Sequence, residues 1–418
     1  MKKHFRNIIT DNVKLSYLYT ALQSFGRGIW MGNILSLYIV VFAERSNGLF
    51  GLTPNELLGV ASGITGISMT ALVFPSGALA DKFGRDKLLK TAAFFGIAAM
   101  ITMAFSSSMA GILVALFLWG AFQGLNRPAF QSILADSLVT GKRSKVYARM
   151  HLVRQGGMAF GPFLNIVLFL YLGDKWDISI LRSVMLVGIV FSLVSALLLF
   201  FFKDARSLGD ESESITHFEE SKEDVSDKIL RRRKWIPLLL TSSNLVIGMG
   251  AGMTVKFFPV FFRAIYDMKP ITVQLIMGAT FIFTGTFAVL AQKYSLKKGR
   301  VEIMLGSKII ATVILFILAL YPTFWVLIVL YIVRGALMNS VQPLSRSILM
   351  DAVPKKHRGK WNSASVISWG LFWNASAMIG GFLIGENNFR LCFLVTAGVY
   401  AVGSIPLFFL LPLVNKES

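Results

Sequence analysis

Twelve long apolar segments dominate this chain of 418 residues. A helix needs about 20 apolar residues to cross the hydrocarbon core of a bilayer, and each segment is long enough. They cover roughly residues 15–43, 54–80, 88–106, 109–135, 145–172, 178–202, 236–266, 270–294, 300–320, 322–351, 358–385 and 389–413. Only 15% of the residues are charged, against about 25% in a soluble domain. The sequence therefore predicts an all-α integral membrane protein with 12 transmembrane helices, numbered here as spans 1 to 12.

One polar stretch, rich in Ser, Glu and Lys, divides the spans into six and six. Such a composition is typical of a linker. We therefore expect a tail, a six-helix bundle, a cytoplasmic linker, a second six-helix bundle and a short tail. Their predicted bounds are 1–14, 15–202, 203–234, 235–413 and 414–418.

The basic residues predict the orientation in the membrane. With a cytoplasmic N-terminus, the inside segments hold 29 Lys and Arg and the outside segments hold 5, as the positive-inside rule requires. We expect both termini in the cytoplasm, in a plasma or inner membrane. This distribution explains most of the net charge of +20. Nucleic acid is not expected as a partner, because no polar segment is long enough to form a domain that reads it.

Two parts of the chain resemble each other at an offset of 215 residues. Ser132-Ile133-Leu134-Ala135-Asp136 recurs as Ser347-Ile348-Leu349-Met350-Asp351. At the same offset Pro128, Arg143 and Lys145 recur as Pro343, Arg358 and Lys360. Matching charged residues and a proline are more specific than shared apolar runs. Spans 4–5 and 10–11 are therefore predicted to be copies, as in transporters built from parallel repeats.

The loop between spans 2 and 3 carries the most specific motif. Residues 77–87 read Gly-Ala-Leu-Ala-Asp-Lys-Phe-Gly-Arg-Asp-Lys, which closely resembles the loop signature of the major facilitator superfamily. The resemblance extends to the twelve spans, the central linker and the repeat. It implies two pseudo-symmetric six-helix bundles in the lipid bilayer that transport a small molecule by alternating access, with no cofactor.

The resemblance also implies a cytoplasmic gate in this loop. Gly77 would let neighbouring helices approach closely, and Gly84 would permit a tight turn. Asp81 and Arg85 would make charge-assisted bonds that open and close during transport. The alternative is a basic loop that only anchors the topology.

Further charges resemble the partners of such a gate. Asp136 is expected beside Arg143, and Asp351 beside Arg358. In the second half Gln292 stands where the signature has Asp, so we expect asymmetric gating.

Span 5 contains a less specific motif. Gly157-Met158-Ala159-Phe160-Gly161-Pro162 resembles a motif of the superfamily's antiporters, but Leu164 and Asn165 replace the glycines that usually follow. Small residues four apart also let helices pack closely in any membrane protein. An antiporter motif and simple packing by Gly157, Gly161 and Pro162 are both open interpretations.

Five basic residues lie well inside predicted spans, where a charge costs roughly 2.5–3.5 kcal/mol near the helix centre. They are Arg27, Arg127, Arg154, Lys256 and Arg334. In the superfamily spans 1, 2, 4, 5, 7, 8, 10 and 11 line the cavity, so the resemblance places all five on lining spans. On the lipid-facing spans we expect basic residues only near the ends, namely Lys90, Arg182, Lys308 and Arg390.

Polar residues accompany these charges. Gln123, Arg127 and Gln131 are spaced by four and share one helix face, and Gln23 lies four residues before Arg27. Helix–helix bonding is the commoner role of a lone intramembrane amide. Gln342 lies eight residues after Arg334, and further candidates for hydrogen bonds to a substrate are Asn33, Asn244, Asn339 and Asn374.

No Asp or Glu lies in the middle third of any span. A carrier of organic cations would need such a carboxylate, so we expect a small organic anion that bridges Arg27 to Arg334 or Lys256, in exchange or uniport. The alternative is that the arginines bond backbone carbonyls. His151 is the only candidate proton carrier in the bundle, and its ordinary role would be that of a polar residue near the interface.

Two other functions are open. A polyspecific drug or metabolite exporter would suit the span 5 motif and the 35 Phe and 17 Met, and a non-transporting receptor could use the same fold. An enzyme or a metal site is not expected, because the single Cys392 and four dispersed His form no catalytic or ligand cluster. We expect a monomer.

Overall fold

The computed structural model describes residues 11–46, 49–138, 143–207, 235–353 and 355–414. The description excludes the side chains of Asp81, residues 143–145, residue 148, residue 350 and residues 355–369. The described helices of the first half are α1 (Asp11–Trp30), α2 (Asn33–Arg45), α3 (Pro54–Phe83), α4 (Arg85–Phe105), α5 (Met109–Asp136), α6 (Arg143–Leu172) and α7 (Ile178–Leu198). Two short 3-10 turns follow, Leu199–Phe201 and Asp204–Arg206. The second half contains α8 (Trp235–Thr254), α9 (Phe258–Tyr266), α10 (Pro270–Lys298), α11 (Arg300–Leu318), α12 (Phe324–Ser340), α13 (Gln342–Ala352), α14 (Lys355–Ile384) and α15 (Phe389–Leu410).

The described chain contains 11 helical segments long and apolar enough to cross a membrane, and Gly370–Ile384 of α14 adds a shorter apolar one. The predicted all-α membrane fold is thus confirmed. Three spans consist of two helices each. Span 1 breaks between α1 and α2, span 7 between α8 and α9, and span 10 between α12 and α13.

The start of α3 shows how local sequence sets a helix boundary. The Thr53 hydroxyl oxygen accepts a hydrogen bond from the Glu56 backbone N–H at 3.3 Å. In return, the Glu56 carboxylate accepts one from the Thr53 N–H at 2.7 Å. Pro54 occupies the first helical position, where no N–H is needed. These contacts are a capping box, which the sequence predicts here.

The chain divides into two compact units. The N-terminal unit comprises Met1–Leu57 and Ala61–Ser221, and the C-terminal unit comprises Leu58–Val60 and Lys222–Ser418. The same helix pairs pack in each. Span 1 packs against spans 5 and 6, span 7 against spans 11 and 12, span 3 against span 4, and span 9 against span 10. This repeated packing agrees with the sequence repeat.

Glycines bring helix backbones into direct contact in both units. A Cβ on Gly161 of α6 would lie 2.1 Å from the Gly28 carbonyl oxygen of α1. In the other unit a Cβ on Gly380 of α14 would lie 2.3 Å from the Met253 carbonyl oxygen of α8. Side chains do not fit at such distances, so only glycine permits these crossings.

The span 5 motif therefore has a packing role. A Cβ on Gly157 would lie 2.9 Å from the Ser24 Cβ of α1, and Pro162 lies inside α6. Asn165, where the antiporter motif has glycine, is buried and donates a hydrogen bond to the Ile29 carbonyl of α1 at 3.1 Å.

Candidate functional site

Three arginines of the N-terminal unit lie within electrostatic range of one another. Arg27 of α1 and Arg127 of α5 are half-buried, and Arg154 of α6 is exposed. We call Arg27, Arg127 and Arg154 the arginine cluster. Among the residues that the structure describes, neither Arg27 nor Arg127 pairs with a carboxylate. The Nε atom of Arg27 is buried without a hydrogen-bond partner there. Arg27 and Arg127 therefore hold positive charge that no described carboxylate compensates.

Neutral polar groups surround the cluster. Arg127 Nη2 donates to the Gln123 amide oxygen at 2.7 Å, one turn earlier on α5. Tyr19 interacts electrostatically with Arg27 and Arg127, and Asn126 donates to the Tyr19 hydroxyl at 2.6 Å. Tyr19 and Asn126 were not predicted as site residues from the sequence. The signal was available, because Tyr19 lies on the helix face of Arg27 and Asn126 precedes Arg127.

Two further predicted substrate residues lie in other settings. Gln23 is buried and accepts a hydrogen bond from the Ser195 hydroxyl of α7, so it joins two helices. Asn33 is half-buried and begins α2, beyond the break in span 1.

His151 is exposed on α6 beside Arg154. The Arg154 Nη2 atom lies 3.1 Å from His151 Nδ1. Since a guanidinium only donates, Nδ1 accepts, and the ring proton lies on Nε2. The role of His151 as a proton carrier stays a prediction.

Arg334 of α12 is only 4% exposed. Its guanidinium carbon lies 4.9 Å from the ring centroid of Phe258 and 5.7 Å from that of Tyr400. Arg334 Nη2 also donates to the Tyr400 hydroxyl at 3.1 Å. Stacking on aromatic faces stabilises a buried guanidinium, while the Nε atom of Arg334, like that of Arg27, is buried without a hydrogen-bond partner among the described residues. The structure therefore places Arg334 in the packing between α9, α12 and α15, rather than on an open cavity wall as the sequence analysis expected.

Lys256 occupies a more open position in the C-terminal unit. It is half-buried at the break between α8 and α9, and its ammonium donates to the Asn374 side-chain oxygen of α14 at 2.8 Å. Of the two cations predicted on spans 7 and 10, Lys256 is the better placed to meet a ligand.

Lys308 departs from the sequence prediction. We expected it near the end of a lipid-facing span, but it lies in the middle of α11 and is 4% exposed. Its ammonium points to the Asn244 side-chain oxygen at 3.5 Å, and Asn244 donates to the Ser345 hydroxyl at 3.0 Å. The predicted bounds of span 9, 300–320, agree with α11 and already put Lys308 near mid-span, so the expectation of an end position was wrong.

Each unit contains the same tight turn. Gly84 separates α3 from α4 with φ 91° and ψ 145°, and Gly299 separates α10 from α11 with φ 103° and ψ 146°. Only glycine adopts these angles readily, so the turn predicted at Gly84 is confirmed. Aligning the two turns places Leu296, and not Gln292, at the position of Asp81. Gln292 had been matched to Asp81 by residue type, without the position of the turn glycine Gly299.

The arginine after each turn glycine forms an ion pair. Arg85 pairs with Asp136 at the end of α5, and Arg300 Nη1 lies 2.5 Å from the Asp351 carboxylate of α13. From the sequence we expected Arg143 beside Asp136 and Arg358 beside Asp351. The predicted gate residues whose side chains lie outside the described part are Asp81, Arg143 and Arg358. The described side chains thus give both units the same arginine–aspartate pair.

Two residues near the first turn bear on the predicted gate. A Cβ on Gly77 would meet no heavy atom within 4 Å among the described residues, and the close helix approach expected there stays a prediction. Asp204, in the second 3-10 turn, was not predicted. Its carboxylate accepts hydrogen bonds from the backbone N–H groups of Arg85 at 2.7 Å and Asp86 at 3.4 Å. The start of the linker therefore caps α4 beside the ion pair of Arg85.

Comparison with known families agrees with this architecture. The family model of the Major Facilitator Superfamily matches residues 17–268 and 240–418. The chain belongs to the Major Facilitator Superfamily. It is 25% identical over 196 residues to the multidrug resistance protein MdtG of Escherichia coli O9:H4 (strain HS), covering 45% of this chain and 46% of that relative. It is 29% identical over 164 residues to multidrug resistance protein 2 of Bacillus subtilis (strain 168), covering 38% and 40%. These matches span less than half of either superfamily relative.

Solved structures show the same superfamily fold at greater distance in sequence. A bacterial homologue of the human lysosomal transporter Spinster, inward-facing and unoccupied, aligns with a TM-score of 0.70, 11% identity and 97% coverage of both chains. The nucleoside transporter NupG aligns with a TM-score of 0.61 and 13% identity, covering 96% of this chain and 98% of its own. At these identities the likeness concerns the fold.

Proposed function

We propose that this superfamily member is a secondary transporter that carries a small organic anion, by exchange or uniport, and binds it at the arginine cluster. The observation that carries the proposal is the uncompensated charge of Arg27 and Arg127. A buried cation is costly unless an opposite charge or several hydrogen bonds satisfy it. A carboxylate, phosphate or sulfonate would supply that opposite charge, and guanidinium groups bind such oxyanions through paired hydrogen bonds.

The neighbouring groups favour an anion over a cation. Gln123 and Tyr19 are neutral and can donate or accept hydrogen bonds, whereas the middle of each span lacks Asp and Glu. An organic cation placed here would face the guanidinium charges of Arg27 and Arg127, which no described carboxylate pairs with. Lys256 adds a half-buried cation in the C-terminal unit, and we propose it as a candidate anion-binding residue of that unit.

The proposed transport cycle is rocker-switch alternating access, in which one unit rocks against the other. Two features support it. The pairs of Arg85 with Asp136 and of Arg300 with Asp351 repeat at the turns where the superfamily has its gate. The glycine crossings at Gly161 and Gly380 hold helix backbones in direct contact within each unit, as a unit that moves as a body would need.

A polyspecific exporter is the second candidate. It is favoured by the names of two relatives, both multidrug resistance proteins. A polyspecific exporter of cationic drugs would require an acidic group in its binding site. The arginine cluster carries the opposite charge.

A ligand screen on the purified protein tests the proposal. The probes are succinate, glycerol 3-phosphate and benzenesulfonate, with benzyltrimethylammonium and glycerol as cationic and neutral controls. An anion at about 100 times its Kd should raise the thermal midpoint by about 3–5 °C, and the controls should not. Arg27→Gln and Arg127→Gln should each abolish the shift, while Lys175→Gln, which changes an exposed residue outside the site, should keep it. A shift with the cation and none with the anions would favour the exporter.

A further inference from the structure

A groove of about 470 Å³ opens in the N-terminal unit, away from the arginine cluster. It lies where the first turns of α1 meet the end of α7 and the two 3-10 turns after it. Its walls are apolar and come from Leu15, Leu18, Leu198 and Phe201. Leu18 is 49% exposed and Phe201 is 60% exposed. The wall thus presents apolar surface that the described residues leave uncovered.

The rim of the groove is charged and net positive. It consists of Lys14, Arg206 and Asp11. Lys14 Nζ lies 3.5 Å from the Asp11 carboxylate, and Arg206 Nη1 lies 4.0 Å from it. Two cations therefore share one carboxylate, and one positive charge is left over. All three side chains are substantially exposed, so an anionic group can reach them.

The position of the groove places it at the edge of the bilayer. Lys14 and Leu15 lie in the first turns of span 1, and Leu198 lies at the last residue of α7 in span 6. Span ends lie at the boundary between acyl chains and headgroups. Arg27 is 13 residues along the helix from Lys14, or about 20 Å, so the groove is separate from the proposed transport site.

An apolar wall beneath a positive rim at this depth matches one class of ligand. A small soluble anion would not use the four apolar side chains. A neutral acyl chain would not use Lys14 and Arg206. Basic pockets between spans bind lipid headgroups, and a basic residue near the membrane contributes about 1 kcal/mol to binding an anionic lipid.

We propose that this groove binds one anionic phospholipid, with an acyl chain against Leu18 and Phe201 and the phosphate between Lys14 and Arg206. The site adjoins the start of the linker. Asn12 of α1 donates to the Lys203 carbonyl at 2.9 Å, and Asp204 caps α4 beside Arg85. A lipid held by Arg206 therefore stabilises the segment that contacts the turn at Gly84.

The test is native mass spectrometry of the purified full chain, delipidated and then titrated with dioleoylphosphatidylglycerol or dioleoylphosphatidylcholine. The unmodified protein should bind the first phosphatidylglycerol about fivefold more tightly than phosphatidylcholine, as expected for one net charge worth about 1 kcal/mol. The double variant Lys14→Gln/Arg206→Gln should lose this preference. The control Lys87→Gln/Lys175→Gln removes the same charge at exposed positions elsewhere and should keep it.

A second variant identifies the molecule that fills the groove, and its result does not depend on the rim charges. Leu18→Cys, labelled with a photoactivatable crosslinker, should give an adduct with the mass of the added phosphatidylglycerol. Equal binding of the two lipids, or an unchanged preference in the rim double variant, would overturn the proposal. A crosslink from position 18 to residues 1–10 or 208–234 of the same chain would overturn it too, because the groove would then be filled by the protein itself.

Discussion

In the N-terminal unit Arg27 and Arg127 lie among amide and hydroxyl groups with charge left over, whereas in the C-terminal unit Arg334 stacks on Phe258 and Tyr400 and is almost completely buried. The backbones of the units are alike, with the same turn glycines and the same kind of glycine crossing. The two units therefore share one backbone arrangement but place their cations in different environments. An arginine that aromatic rings cover almost completely serves packing, and arginines that stay half-buried among polar groups are available to a ligand.

The glycine crossings that both units share predict the largest effect. Gly161→Val and Gly380→Val would each place side-chain atoms about 2 Å from a backbone oxygen. The backbones would have to separate, at a cost of about 3 kcal/mol or more. Both variants should fail to give a monodisperse peak in size-exclusion chromatography. Gly156→Ala and Gly398→Ala, where a Cβ meets nothing within 4 Å, should behave like the unmodified protein. If only one of the two valine variants lost its monodisperse peak, the glycine crossings of the two units would not be equivalent.

The arginines predict an effect of intermediate size that differs between the units. Arg334→Gln removes two cation–π contacts and one hydrogen bond to the Tyr400 hydroxyl, so it should lower the unfolding free energy by about 2 kcal/mol. Arg27→Gln removes one of three mutually repelling charges, and ligand-free stability should not fall. Thermal unfolding of both variants without ligand measures this difference. Equal losses would remove the distinction between the two cations.

The two ion pairs at the turns predict a smaller difference. The side chains of Arg85 and Asp136 are 30% and 12% exposed, while those of Arg300 and Asp351 are 14% and 60% exposed. Water screens an exposed carboxylate, and exposed pairs are worth under about 1 kcal/mol. Asp136→Asn should therefore destabilise the protein by about 1–2 kcal/mol and Asp351→Asn by less. The reverse order in thermal unfolding would contradict the account of the two pairs.

The smallest effect concerns pH. Asp177 caps α7 and forms a 2.7 Å ion pair with Arg45 at the end of α2. Hydrogen bonds from Ser179 and Arg45 lower the pKa of Asp177 to about 2, against about 3.9 in an unfolded chain. Its stabilisation is therefore complete above pH of about 4 and is lost as the pH falls towards 2.

The variant Asp177→Asn keeps a capping side chain and removes the titration. Its thermal midpoint should lie below that of the unmodified protein at pH 5, and the two curves should converge towards pH 2. Curves that stay parallel across this range would show that the lowered pKa of Asp177 does not stabilise the fold.

The sequence was sufficient to predict the parts of the fold that depend on local chemistry. Apolar length predicted the spans, Thr53 and Glu56 predicted the start of α3, and Gly84 predicted the turn. The offset of 215 residues predicted the repeated packing. Each of these signals depends on residues near one another in the chain.

The partners of charged residues depend on tertiary packing, and the sequence predicted them less well. Nothing local distinguishes Arg334 from Arg27, because the aromatic residues that cover Arg334 come from other helices. The burial of Lys308 was not predicted for the same reason, since its neighbour Asn244 lies on α8. The contact of Asp204 with α4 crosses more than 100 residues and has no sequence signature.

Anion flux into proteoliposomes tests the central claim most directly, with the anion that gives the largest thermal shift as substrate. We predict that Arg27→Gln reduces flux at least tenfold, since a charged hydrogen bond contributes about 1.5–3 kcal/mol, and that Arg27→Lys retains part of it. Arg334→Lys, which keeps a charge in the aromatic packing, should leave the dependence of flux on anion concentration unchanged in the folded fraction. Full flux in Arg27→Gln would contradict the claim that the arginine cluster binds the transported anion.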